Sequence, residues 1–283
     1  MSFFSILFMN AKDRAQAELS EMPIFFEDLN LDQVVESITA VAEEYNLKPF
    51  YYYPIHSIET IHFRQAIFRD LEKANLNEAV KSFSEKMVIV RRYLELISKL
   101  HYRQHKEGWQ IEAAYVYCDA VEKLNEDLSS IKISSQGFKE FRIYLHNYVS
   151  NALFQSYSSE VKQVKTKLES IQYDLIIKNN WVRVKKYENE IDYSQEVLKT
   201  FEKFKQGATK SYLHNLLESA GMNHVGARIL DRVAKLFPEI FNEMAEFNRN
   251  HASFMDETIS HFDLEIQFYM AYLDYISNIK KAG

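Results

Sequence analysis

The chain has 283 residues and a net charge of -6 at pH 7. Hydrophobic residues make up 47% and charged residues 26% of it, which is an ordinary balance for a soluble globular protein. Six Gly and four Pro are too few for the tight turns of a parallel α/β enzyme, so the composition favours long helices joined by few turns. A single cysteine, Cys118, excludes a disulfide framework and a multi-cysteine zinc site, and it fits a reducing compartment.

No apolar run approaches the roughly 20 residues that a helix needs to cross a membrane. The run Phe3–Met9 is apolar but short, and neither a basic segment before it nor a small-residue cleavage site after it indicates a signal peptide. We therefore expect a cytoplasmic protein without a membrane partner.

Helical spacing of apolar residues begins in the first fifty residues. Asn30 and Gln33 predict a capped helix start, and the helix behind them should end before Lys48-Pro49. The aromatic run Phe50–Tyr53 is expected to be an extended connector whose rings pack against helices rather than stack on bases. A helix from about Ile58 to Leu71 follows.

A second capping pattern, Asn75 with Glu78, predicts a long helix that continues to Leu100. The pair Gly108-Trp109 is expected to interrupt the chain before the next apolar stripe, Ala113–Leu128. Each of these segments has the three- and four-residue spacing of a helix face.

After a turn at Ser134–Gly137, the helical pattern runs from Phe138 to Leu168 without Gly or Pro. A single helix of about thirty residues would be roughly 45 Å long at 1.5 Å per residue. Such a helix must extend beyond a compact core or form its spine.

The period then changes to two, which predicts the one convincing β-hairpin of the chain. Ile171–Ile177 alternates apolar and polar positions, and Val182 with Val184 does so again. Asn179-Asn180, between them, suits a tight turn because Asn tolerates positive φ.

Helical spacing returns near Ser194 and again at Val225–Leu236, and Pro238 can open the next helix. Ser253 is expected to cap the last helix. Its apolar residues alternate by four and three, which predicts one face packed along another helix: Met255, Ile259, Phe262, Ile266, Tyr269, Leu273 and Ile276.

Motifs for catalysis are missing from the sequence. Neither a phosphate-binding loop nor G-x-G-x-x-G fits the six glycines, and no nucleophile elbow or H-E-x-x-H occurs. We expect no enzymatic activity and no cofactor in this chain.

Two kinds of weak site candidate remain. His101 and His105 lie four residues apart on an expected helix, but two ligands do not make a metal site, and solvated histidines are favoured. The acidic pairs Glu43-Glu44 and Asp70/Glu72 are expected to lie on solvated helix faces, since no cleft that would perturb them is visible.

Charge is concentrated around the predicted hairpin. Between Val161 and Tyr187, seven basic residues face two acidic ones, a local charge of +5 on a chain of -6. One interpretation is a contact with a polyanion, and the other is an exposed hairpin kept soluble by lysines. The expected phosphate-binding residues are Lys178, Arg183, Lys185 and Lys186.

Several segments resemble a bacterial MutS-like branch of DNA mismatch repair proteins. They are Phe25–Asp32, Tyr45–Phe50, Ile61–Ile67, Met222–Val225 and Phe262–Tyr269. The resemblance spans nearly the whole chain, although each segment is a packing or capping signature rather than a catalytic one.

The resemblance implies a mainly all-α fold, with a long-helix core and lever and a small inserted clamp that contains a β-hairpin. On that basis we expect a helical core and lever in residues 1–163 and 211–283, with the clamp at 164–210. It also implies that this is the N-terminal part of a homodimeric protein that grips duplex or branched DNA non-specifically. ATP and Mg would then be bound by a C-terminal ATPase domain absent from this chain.

The alternative function belongs to another class of protein. A helical scaffold module could bind a protein, or a structured RNA, through the same basic hairpin.

Overall fold

The computed structural model describes residues 3–178, 181–188 and 224–282. These residues are mainly helical with one two-stranded antiparallel sheet, which confirms the predicted fold class. A short 3-10 turn, Ala40–Ala42, follows the third helix. The elements are, in chain order, α1 (Ala11–Glu18), α2 (Phe25–Asp28), α3 (Leu31–Thr39), α4 (Lys48–Tyr52), α5 (Ile58–Leu71), α6 (Ala74–Lys99), α7 (Arg103–Ser130), α8 (Gln136–Ser150), α9 (Ala152–Glu169), β1 (Tyr173–Lys178), β2 (Trp181–Lys186), α10 (His224–Leu236), α11 (Pro238–Asn250) and α12 (Glu257–Ala282).

Contacts divide the chain into two compact units. Unit 1 comprises Met1–Val90, Val116–Ser158 and Ser253–Gly283, and unit 2 comprises Arg91–Tyr115 and Ser159–Ala252. The limits expected from the resemblance, 1–163, 164–210 and 211–283, stay a prediction.

The core of unit 1 forms around α12. Its residues Ile259, Phe262, Ile266 and Tyr269 are completely buried, as the four-three spacing predicted. Phe141 of α8 stacks on Phe262 with ring centroids 3.5 Å apart. Burial of these large apolar side chains is the main source of stability for this unit.

A non-helical N-terminal segment is part of the same core. Ile6 and Leu7 are fully buried, and the hydroxyl of Tyr269 donates to the carbonyl oxygen of Ile6 at 2.9 Å. One oxygen of Glu265 accepts from the Ser5 hydroxyl at 2.6 Å and from the Ile6 N–H at 3.0 Å. These bonds satisfy backbone groups that no helix or strand serves.

Unit 2 contains the hairpin, α10 and α11, with parts of α6, α7 and α9. Helix α10 contacts both β2 and α11. The side-chain amide of Asn248 on α11 donates to the carbonyl oxygen of Glu107 on α7 at 3.1 Å. The ring of Tyr93 lies 4.8 Å from that of Trp109, which is also on α7.

The prediction of a single thirty-residue helix is wrong in one respect, because this stretch forms two helices, α8 and α9. Asn151 has an extended backbone, with ψ 136°, and separates α8 from α9. Its side-chain oxygen accepts from the N–H of Leu153 at 2.9 Å, as an N-cap residue does. Breaks made by a capping Asn leave no Gly or Pro signal in the sequence.

The predicted break at Gly108-Trp109 is also wrong, because α7 runs through both residues. A single Gly costs a helix only about 1 kcal/mol relative to Ala. The indole N–H of Trp109 donates to the Nε2 atom of His105 one turn earlier, at 2.9 Å. The chain instead leaves helical geometry between α6 and α7, at Leu100–Tyr102.

The expected extended connector at Phe50–Tyr53 is mostly helical. Pro49 lies in the first turn of α4, where a proline has no hydrogen bond to lose. This helix orients the aromatic run, and its rings pack in unit 1, as expected. Phe50 is buried, and Tyr51 stacks on Phe268 with centroids 4.5 Å apart.

Three expected helix caps differ in detail. Asn30 precedes α3, but it adopts a left-handed backbone, with φ 54°, and its side chain caps no backbone N–H. Helix α6 begins at Ala74, so Asn75 lies inside its first turn. Asp256 caps α12 in place of Ser253, because its carboxylate accepts from the N–H of Ile259 at 3.0 Å.

Two of the expected features lie outside the described residues. They are the Asn179-Asn180 turn and the helical spacing near Ser194. Among the described residues, strands occur only in the predicted hairpin, and the helix predicted at Ile58–Leu71 is confirmed with those bounds.

Candidate nucleic-acid interface

The register of the hairpin places its basic residues. Val184 pairs with Leu175, Arg183 with Ile176 and Lys185 with Asp174. Since side chains alternate along a strand, Arg183 and Lys185 lie on the face opposite Val184.

The other two expected phosphate ligands differ from this pair. Lys186 pairs with Tyr173 and therefore lies on the face of Val184. Its ammonium group lies 5.2 Å from the ring centroid of Phe237, a cation–π contact. Lys178 pairs with Trp181 in the register, and nothing further is described of its side chain.

Part of the local positive charge is neutralised by carboxylates, two of which are remote in sequence. The ammonium group of Lys165 lies 2.5 Å from a carboxylate oxygen of Glu112 and 3.2 Å from one of Glu169. That of Lys167 lies 2.6 Å from an oxygen of Glu243. Lys165 and Lys167 therefore contribute little to a surface that attracts an anion.

Within the hairpin, one ion pair crosses the strands. The ammonium group of Lys185 lies 4.0 Å from a carboxylate oxygen of Asp174, at the outer limit of a salt bridge. A contact this long is weaker than the pairs of 2.5 and 2.6 Å that Lys165 and Lys167 make, since the attraction between opposite charges falls with distance.

Helix α10 adds basic residues that the sequence analysis did not single out. Arg228, Arg232 and Lys235 are exposed, and their spacing by four and three residues puts them within about 60° around the helix axis. The buried residues Ala227 and Val233 lie outside that arc. This spacing is visible in the sequence, but it lies outside the basic stretch Val161–Tyr187.

The hairpin and α10 together form what we name the cationic surface. It has seven Lys and Arg residues and two Asp residues, a net charge of +5 on a chain of -6. Because α10 contacts β2, the basic residues of these two elements lie on neighbouring parts of the structure, although about forty residues of sequence separate them. Such a concentration raises the local density of anions near the surface.

The histidine pair does not share a helix, contrary to expectation. His101 lies before α7, whereas His105 is on it and accepts a hydrogen bond from Trp109. Burial lowers the pKa of His105, which keeps its ring neutral at pH 7. Among the described residues, no group of three His, Cys, Asp or Glu side chains is placed to hold a metal ion.

Of the acidic candidates, Asp70 corrects the expectation of a solvated face. It is buried, and its carboxylate accepts from the N–H groups of Ser134 and Ser135 at 2.9 and 2.6 Å. The ammonium group of Lys73 lies 2.5 Å from the same carboxylate. Its role is to hold the start of α8. Glu43, Glu44 and Glu72 are exposed, as expected.

No family model, curated protein or solved structure matches the chain. The resemblance to MutS-like proteins therefore rests on the five short segments named above and stays a prediction. No helix in the described part of the chain is both long enough and apolar enough to cross a membrane.

Proposed function

We propose that this protein binds the phosphate backbone of duplex or branched DNA without reading sequence, through the cationic surface. The observation that supports the proposal is the net charge of +5 on the hairpin and α10 of an otherwise acidic chain. Salt-dependent contact with phosphates is the main source of non-specific affinity for DNA.

The chemistry of the side chains suits this role. Three of the seven cations are Arg, whose planar guanidinium can bind two phosphate oxygens at once. Phosphate contacts hold a protein on the duplex but carry no sequence information. The proposal therefore predicts similar affinity for duplexes of different sequence.

Further parts of the proposal come from the resemblance alone. We propose that the helical units act as the core and lever of a MutS-like, dimeric repair or recombination protein. The chain itself would be non-catalytic, and a C-terminal ATPase domain that binds ATP and Mg would drive it.

Binding of a fluorescent duplex, followed by anisotropy at several salt concentrations, tests the DNA contact. Changing Arg228 and Arg232 together to Ala should weaken binding and reduce the slope of log affinity against log salt by about 1.8, at about 0.9 per phosphate. Changing Lys280 and Lys281 of α12 to Ala removes the same charge elsewhere and should leave the slope unchanged. Equal slopes for the first variant and the parent would refute phosphate contact by α10.

The alternative, a scaffold that binds a protein or a structured RNA, has one observation in its favour. Leu175 and Ile176 expose 42% and 37% of their surface on the hairpin, more apolar area than a phosphate contact needs. If the parent binds no duplex at low salt, the scaffold function replaces the proposal.

A further inference from the structure

A second surface of this protein has the opposite charge. Residues 15–47 contain no Lys or Arg. The same stretch contains eight acidic residues, which are Glu18, Glu21, Glu27, Asp28, Asp32, Glu36, Glu43 and Glu44. It spans α2 and α3, both of which belong to unit 1.

Large apolar side chains are exposed within this acidic stretch. Phe26 of α2 is buried, with its ring 5.4 Å from that of Tyr52, so the helix is anchored by one side chain. Its neighbours remain outside, since Ile24, Leu29 and Phe25 are 91%, 62% and 53% exposed. A folded monomer gains nothing from exposing apolar side chains next to one another, and such groups mark interaction sites.

Helix α3 and the turn behind it extend this apolar area. Val34 of α3 and Val41 of the 3-10 turn that follows it are also exposed, by 37% and 61%. We name these exposed apolar residues, Ile24, Phe25, Leu29, Val34 and Val41, together with the carboxylates of residues 15–47, the acidic surface.

The cationic surface is complementary to the acidic surface in both charge and apolar character. It carries +5 against the eight carboxylates of residues 15–47, of which Glu18 and Glu36 are paired with Arg14 and Lys48. The cationic surface also exposes apolar side chains, among them Leu175, Ile176 and Val225. Complementary charge steers association, while buried apolar side chains at the centre of a contact supply most of its affinity.

We propose that the acidic surface binds the cationic surface of a second copy of this chain. Such a contact is head-to-tail, so an open assembly keeps one free acidic surface at one end and one free cationic surface at the other, and it can grow. Because the proposed DNA contact uses the same cationic surface, duplex DNA competes with self-association. The competition rests on the proposed function, whereas the self-association does not.

Sedimentation velocity of the parent chain, from about 1 to 100 μM and at low and moderate salt, measures the association. We expect dimers and larger species at low salt that dissociate as salt screens the charges. The acidic-surface variant Ile24→Ser/Leu29→Ser and the cationic-surface variant Arg228→Ala/Arg232→Ala should each weaken association by about tenfold or more. The matched variant Lys280→Ala/Lys281→Ala should associate like the parent.

Mixing the two deficient variants is the decisive arm. Each retains the surface that the other has lost, so a head-to-tail contact predicts a 1:1 dimer that does not grow further. Failure of the mixture to dimerise while the parent associates would overturn this arrangement. A parent that stays monomeric at all concentrations but binds an amphipathic Lys/Leu peptide would refute self-association. The acidic surface would then bind a basic segment of another protein.

The same variants separate this inference from the proposed function. If Arg228→Ala/Arg232→Ala binds duplex like the parent but no longer associates, the DNA contact of α10 fails and the inference stands. If that variant loses DNA binding but still associates, the inference fails and the proposed function stands. An excess of duplex should also dissolve the parent's assemblies.

Discussion

The carboxylate of Asp70, at the end of α5, accepts a hydrogen bond of 2.6 Å from the backbone N–H of Ser135. Ser135 immediately precedes α8, where backbone N–H groups have no partner within the helix. The bond therefore joins two helices that are 65 residues apart in sequence. It also places a negative charge where the dipole of α8 favours one.

Replacing Asp70 by Asn should lower the free energy of unfolding by about 2 kcal/mol at pH 7, since a hydrogen-bonded buried charge is lost. Burial alone would raise the pKa of Asp70, but Lys73 and the N–H groups of Ser135 and Ser134 lower it by more. The stability that the carboxylate contributes is therefore present above its unfolded pKa of about 3.9 and is lost as the pH falls through the lower folded value. Urea denaturation of parent and variant from about pH 7 to 2 should show the difference shrinking only in the acid range.

Glu265 should show the opposite dependence on pH. Burial raises its pKa, although Ser5, Arg14 and Ile6 oppose the shift. Its contribution to stability is fully present below the unfolded pKa of about 4.3 and is lost as the pH rises through the folded value. The variant Glu265→Gln keeps an acceptor for Ser5 and Ile6 but does not titrate, so the parent should lose stability relative to it as the pH rises above about 4.3. A parent that gains stability relative to Glu265→Gln over that range would contradict the raised pKa.

A third prediction compares two glycines in helices. A Cβ atom on Gly137 would lie 3.1 Å from the Cδ1 atoms of both Ile6 and Ile67, which are fully buried. Gly137→Ala should therefore destabilise the protein by about 1–2 kcal/mol through overpacking. Gly108→Ala is the control, because a Cβ there meets nothing within 4 Å, and it should stabilise α7 by up to about 1 kcal/mol. Equal thermal shifts for both variants would rule out close packing at Gly137.

The hairpin supplies the fourth prediction. Changing Arg183 and Lys185 to Ala should weaken binding to every duplex sequence alike and flatten the salt dependence by about 1.8. The control Lys165→Ala/Lys167→Ala removes two cations from the same stretch, but these are already paired with Glu112 and Glu243. The slope of log affinity against log salt should therefore be the same as in the parent. Unchanged affinity of the first variant at both low and moderate salt would remove the hairpin from the proposed interface.

Local patterns identified the elements whose signal repeats over a short stretch. Alternation with β-branched residues predicted the hairpin, and four-three spacing predicted the buried face of α12, since each pattern follows from backbone geometry alone. Single-residue signals were less reliable. Gly108 does not break α7, because a single Gly costs a helix only about 1 kcal/mol. Asn151 does end α8, because its side chain caps the start of α9.

The sequence by itself determined that this is a mainly helical chain with one basic hairpin. Only the tertiary structure decided which charges remain available. Lys165 is neutralised by Glu112 from 53 residues away, while α10 brings Arg228 and Arg232 to an element beside β2. Whether a charge is neutralised depends on how far apart the side chains lie in space, because the attraction between opposite charges weakens with distance. That distance is not encoded in any local sequence pattern.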